Sequence, residues 1–143
     1  MNVVNGIISH IESHEGISLV KIKFDDVIFS SIVLDIPETS DYLKIENRVK
    51  IIFKETEVMI SKDLNPNISI QNKLLCRIES VQKGVILSQI NLVHNQQTIK
   101  SIITRNACEQ LDLKEKVLKL YDLDEVSVVQ NNRNRDEALS ALE

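Results

Sequence analysis

One apolar pattern is written twice along this chain, in residues 16–60 and again in residues 84–128. With Gly16 set over Gly84, a displacement of 68, Leu19 falls on Leu87, Ile22 on Ile90, Leu43 on Leu111, Ile45 on Leu113 and Val49 on Val117. Phe53 then meets Tyr121, Val58 meets Val126 and Ile60 meets Val128, while most polar positions between them differ. A shared core pattern under divergent surfaces is what a duplicated small domain leaves behind. The chain is therefore expected to fold as two versions of one unit: residues 1–62, residues 68–130 after a short linker, and a tail over 131–143.

Units of roughly 65 residues are marginal alone, burying only about 60% of the surface of the unfolded chain. Packing of the two copies, or assembly of several chains, would supply the missing core. With no Trp, three Phe and two Tyr, aliphatic side chains must fill it. A net charge of −4 argues against nucleic acid as the main partner, because such proteins usually carry a basic stripe and stacking aromatics. Cys76 and Cys108 both fall in the second copy; a disulfide framework would repeat with the domain, so both read as reduced, buried residues. No basic-then-apolar leader opens the sequence and charges interrupt every apolar run, so the expectation is a cytoplasmic protein without a membrane span.

Within the first copy, Gly6–Glu12 is β-rich, Gly16 permits a turn, and Ile17–Phe24 alternates as a half-buried strand does. Asp25-Asp26 reads as a hairpin turn returning through Val27–Val33. Pro37 followed by acidic residues suits a short helix over 37–43. Arg48–Phe53 and Thr56–Ser61 read as two further strands. The second copy offers strands near 74–81, 85–92, 97–103, 115–121 and 125–130, with a helix at 105–111. Five short strands with a helix between the third and fourth is the order of an OB-fold. The expected class is all-β, two tandem OB-fold-like barrels with one short helix per repeat. The tail reads as a short amphipathic helix or as disordered.

Enzymatic constellations are scarce. Three scattered glycines form no phosphate loop, and no Ser or Cys lies in a nucleophile motif. His10, His14 and His94 read as strand and turn residues rather than converging ligands, so no metal site and no catalytic residue is expected. Three stretches gather donors at strand ends. Lys54-Glu55-Thr56 places a cation beside a hydroxyl at a strand junction. Ser69-Ile70-Gln71-Asn72 leads into the second copy with a hydroxyl and two amides. Thr104-Arg105-Asn106 opens a helix, where an anion is readily received. The bland alternatives are that Lys54 is a solvated charge and that Thr104 is only an N-cap.

Those stretches resemble the Mop-type TOBE domains of molbindins and of the effector half of the molybdate-responsive regulator, from Asn2 to about Gln130. Copies in that family open on Ser-x-Arg-Asn followed by a glycine. Ser69-Ile70-Gln71-Asn72 is similar, with Cys76 where the glycine is usual, and the first copy keeps Asn2 and Gly6. The family's Lys-Ala-Ser-Asp-Val resembles Lys54-Glu55-Thr56-Glu57-Val58. Its Thr-x-x-Ser corresponds to Thr104 and Ala107, and in the first copy to Ile36 and Thr39. Gln71 replaces the arginine, and Asp122-Leu123-Asp124 replaces the Lys-x-Ser element of the second copy, where carboxylates would repel a dianion.

The resemblance implies a non-enzymatic protein binding molybdate or tungstate, with no cofactor besides that ligand, for storage, buffering or delivery. It also implies a homo-oligomer, most simply a trimer, with sites between copies. The residues it points to are Lys54, Thr56, Ser69, Gln71, Asn72, Thr104 and Thr39. These oxyanions are fully deprotonated at neutral pH, so a lining of hydroxyls, amides and one lysine suits them. The competing reading is a duplicated-barrel structural or regulatory module that has lost its anion.

Overall fold

A computed structural model describes residues 1–113, 125–130 and 139–141. Ten strands and one helix are ordered as β1 (Asn2–His14), β2 (Ile17–Phe24), β3 (Val27–Val33), β4 (Arg48–Phe53), β5 (Val58–Ser61), β6 (Asn72–Lys83), β7 (Leu87–His94), β8 (Gln97–Thr104), α1 (Arg105–Gln110), β9 (Glu125–Gln130) and β10 (Leu139–Ala141). A 3-10 turn, Glu55–Glu57, leads into β5. The expected all-β class holds, with two five-stranded antiparallel sheets ordered β10-β4-β1-β2-β3 and β5-β9-β6-β7-β8.

Alternation dictates which residues each strand buries. In β1, Asn2, Val4, Gly6 and Ile8 point inward; in β2, Ser18, Val20, Ile22 and Phe24 do so. The second sheet repeats this with Asn72, Leu74, Cys76 and Ile78, then Ser88, Ile90 and Leu92. Strands β1 and β6 carry the same irregularity, a register shift at Ile8/His10 and at Ile78/Ser80. Pairing fixes the correspondence of the copies: Ile7↔Lys23 matches Arg77↔Val93, and Val20↔Ser31 matches Ile90↔Ser101, a displacement of 70 rather than 68. A two-residue slip keeps inward residues on inward residues, so the sequence pattern could not separate the two registers.

Further along, Asn2↔Phe53 matches Asn72↔Gln130, so β4 corresponds to β9. Residues 125–130, expected as a fifth strand, are thus the fourth. The segment 115–121, expected as the fourth, lies outside the described residues, as do Asp122 and Asp124. The fifth strands are exchanged. Val58–Ser61, expected to complete the first copy, pairs with β9, while Leu139–Ala141, in the tail read as helical or disordered, pairs with β4. The chain accordingly divides into one compact unit of Met1–Phe53 with Asn132–Glu143 and another of Lys54–Asn131.

The exchange follows from the Phe53–Val58 junction. Three of the four hairpins among the described residues use a left-handed residue, namely Glu15 and Gly16, Asp25, and Asn95, while the β6–β7 reversal is held by the Gly84 N–H donating to the Leu87 carbonyl at 2.8 Å. Lys54 (φ −78, ψ 149) and Val58 (φ −88, ψ 116) are instead extended on either side of the 3-10 turn. Nothing folds β5 back onto β4. In the second unit the outer strands then meet, because Ser101 Oγ on β8 donates to the Val58 carbonyl on β5 at 2.8 Å, closing the barrel.

One helix expectation fails and the other holds. Thr104 Oγ1 accepts the Ala107 N–H at 3.0 Å and caps α1, whose Arg105 and Glu109 pair at 2.9 Å. At the register-matched place of the first copy stands Leu34, which cannot cap. Residues 37–43 form turns instead, with the Thr39 and Ser40 N–H groups both donating to the Ile36 carbonyl at 3.0 Å. Leu43 and Leu113 are buried at register-matched positions all the same. His10 and His14 both lie within β1 rather than at a turn.

Two substitutions test this packing. A Cβ on Gly6 would lie 2.5 Å from Ile22 Cγ2 and 3.0 Å from the Lys23 carbonyl oxygen, so Gly6→Ala should destabilise the protein by about 1–3 kcal/mol. Ser101→Ala leaves the buried Val58 carbonyl without its donor and should cost about 1–3 kcal/mol. Ser31, its counterpart, has a buried Oγ with no partner among the described residues, so Ser31→Ala should change stability by less than about 0.5 kcal/mol. Urea denaturation of the three variants distinguishes these outcomes.

Candidate functional site

The exchanged strand decides where the expected binding residues go. Lys54 and Thr56 follow the last strand of the first copy, yet belong to the second unit, in the turn that feeds β5. Both are exposed. The Glu57 N–H donates to the Lys54 carbonyl at 3.0 Å, Glu57 Oε2 accepts the Lys54 N–H at 3.2 Å, and the Val58 N–H donates to the Glu55 carbonyl. The turn packs against β8. One ladder row across the sheet runs from Val58 on β5 through Gln130 on β9 to Asn72 on β6. Asn72, 2% exposed, therefore opens β6 at the same end of the barrel as Lys54 and Thr56.

Gln71 precedes Asn72 and is exposed; Ser69 is exposed in the preceding bend. Lys73 Nζ donates to the Pro66 carbonyl at 3.1 Å and ties that linker to β6. Thr104 is not part of this corner. It lies three residues beyond Ser101 along β8, about 10 Å at strand rise, and its hydroxyl is engaged as the cap of α1. Thr39 lies in the other unit, where its Oγ1 donates to the Ile36 carbonyl at 3.2 Å. Of the seven expected residues, Lys54, Thr56, Gln71 and Asn72 thus fall at one barrel end, with Ser69 on the approach to it.

Lys100 belongs to the same corner and was not picked out from sequence. It precedes Ser101, whose hydroxyl grips β5, so strand alternation turns Lys100 outward beside the 3-10 turn. A backbone hydrogen bond is the main cause that holds the Glu55 carboxyl below its ordinary range, and the Lys100 charge adds the smallest contribution. Lys100 comes near Glu55, the neighbour of Lys54, because the 3-10 turn packs on β8, and their sequence separation gives no sign of it. The corner offers two ammonium groups, a hydroxyl and amides, with Glu55 and Glu57 as the opposing charges. That is an anion-receiving set moderated by two carboxylates. Among the described residues, no three His, Cys, Asp or Glu side chains converge as metal ligands.

No protein-family profile matches the chain. Over 69 residues it is 51% identical to the Holliday junction branch migration complex subunit RuvA of Flavobacterium psychrophilum, covering 46% of this chain and 36% of that protein. Over 48 residues it is 54% identical to RuvA of Christiangramia forsetii, covering 33% of this chain and 25% of that protein. The chain thus spans about a third or less of the length of the curated relatives it matches. Among solved structures, it is similar to the cytoplasmic molybdate-binding protein ModG in a crystal form with molybdate bound. That likeness has a TM-score of 0.80 at 18% identity and covers 99% of this chain and 96% of that one. Whole-chain coverage by a two-sheet architecture leads to one conclusion: this chain has the fold seen in ModG.

Proposed function

We infer that the chain is a non-enzymatic oxyanion-binding protein that takes up molybdate or tungstate for storage, buffering or delivery in the cytoplasm. The observation that carries this reading is the placement of Lys54 and Thr56 on the second unit, at the barrel end where Asn72 begins β6 and beside Lys100 on β8. A tetrahedral dianion with four accepting oxygens needs donors on several sides and near-neutralisation of two charges; two lysines, a hydroxyl and amides provide both. The fold likeness to ModG supports the same ligand class. A homo-oligomer, most simply a trimer, would bring Ser69, Thr104 or Thr39 of neighbouring copies toward such a corner.

A second reading rests on the RuvA stretches. Their identity, above 50% over 69 and 48 residues, favours a barrel that serves as an assembly module of a larger complex. The net charge of −4 weighs against direct contact with DNA. Calorimetry with molybdate, tungstate, sulfate and phosphate, alongside mobility shifts on a four-way DNA junction, separates the two. The oxyanion reading expects molybdate or tungstate to bind well ahead of sulfate and no junction to be retarded; binding that cannot tell molybdate from sulfate sinks it.

Removing the Lys54 ammonium should cost one charge-assisted hydrogen bond, about 1.5–3 kcal/mol, or roughly ten- to a hundredfold in affinity. Lys54→Arg should restore only part of this, since a planar fork does not replace a point charge in a compact tetrahedral site. Asp122→Ala should leave binding unchanged. Equal affinity for Lys54→Ala and wild type would make Lys54 a plain surface charge.

A further inference from the structure

A duplicated fold contains its own control: what the barrel requires recurs in both copies, and what one copy alone carries calls for another reason. Both units have a hollow at the same place, on the outer faces of the first two strands beside the second hairpin turn. In the first unit it measures about 470 Å³ and includes Ile7, Lys23, Asp25 and Glu46. In the second it measures about 350 Å³ and is lined by Leu75, Cys76, Arg77, Val93, His94 and Asn95. By strand register Arg77 matches Ile7, Val93 matches Lys23 and Asn95 matches Asp25. The hollow itself is a product of the fold. Its chemistry is not.

In the first copy a lysine is set against two carboxylates, and Phe24, the residue matching His94, is spent on the core, packed edge-on against Phe29 with centroids 4.9 Å apart. Among the described residues, the lining in the second copy holds no carboxylate. His94 Nδ1 lies 2.8 Å from the Leu75 carbonyl oxygen, which fixes the imidazole against the wall of the hollow. Asn95 sits at a left-handed turn position (φ 54) that sets its amide at the rim. Arg77 brings a planar fork of donors suited to carboxylate or phosphate oxygens. Leu75, 47% exposed, and Val93 supply an apolar wall beside it. Burial pushes the Cys76 thiol up to about 12, so it stays neutral and, buried in the core behind the hollow, offers no nucleophilic chemistry.

We propose that this hollow in the second unit is a binding site, distinct from the Lys54 corner, for a small organic anion whose carboxylate or phosphoryl head pairs with Arg77 while its carbon body lies on Leu75 and Val93. Butyrate and inorganic phosphate serve as probes, each titrated into the full chain while backbone amide resonances are followed. The expected result is saturable shifts at Arg77, His94 and Asn95, with none at Ile7 or Asp25, and butyrate favoured over phosphate if the apolar wall contributes. Arg77→Gln should weaken binding at least tenfold with core resonances unchanged, whereas Lys54→Ala should retain it. Glu125 stands across from Arg77 in the β6–β9 register, so Glu125→Gln should leave binding equal or tighter. Absence of saturable shifts with both probes, or equal shifts in Arg77→Gln, overturns the proposal without touching the molybdate reading.

Discussion

The open edges of two small sheets govern this molecule. A four-stranded sheet ending on β4 or β9 would present a row of unpaired N–H and C=O groups, costly to bury and liable to pair with other chains. Each edge is covered by a strand from the other stretch of sequence, β10 on β4 and β5 on β9. At the junction of the two copies, extended residues flank the Glu55–Glu57 turn and the chain runs on from β4 into β5. Once β5 belongs to the second barrel, the Ser101–Val58 hydrogen bond can close that barrel.

The corner proposed to bind an anion is a by-product of the same exchange. Lys54 and Thr56 sit on the segment that leaves one copy for the other, so they acquire Asn72 and Lys100 as neighbours rather than residues of their own copy. Joining two barrels through a donor-bearing turn thus places a cation at the mouth of the receiving barrel. Glu55 and Glu57 temper that charge, and the Lys54 N–H is already taken by Glu57.

How far the sequence could be read depended on range. Alternation along Ile17–Phe24 and Val27–Val33 was decisive because each strand buries every second residue and both ends are marked by turn residues. The two-residue register slip was invisible for the same reason, since alternation has a period of two. The helix at 37–43 was overread from Pro37 and its acidic neighbours, while the deciding difference was a cap, Thr104 against Leu34. Strand exchange could not be seen at all: β5 and β10 look alike to either copy, and only backbone geometry at Lys54 and Val58 directs them. Lys100 was not singled out for that reason, and Thr104 lies away from the Lys54 turn within its own unit, its hydroxyl capping α1.

The oxyanion site is tested most directly by locating the ligand itself. Tungsten scatters anomalously, so crystals grown with tungstate would mark the bound ion without reference to any assumed pose. A strong tungsten peak is predicted beside the Glu55–Glu57 turn, within hydrogen-bond distance of Lys54 Nζ and in reach of Lys100. A peak at another place with that turn unoccupied, or no peak at saturating tungstate, would contradict it.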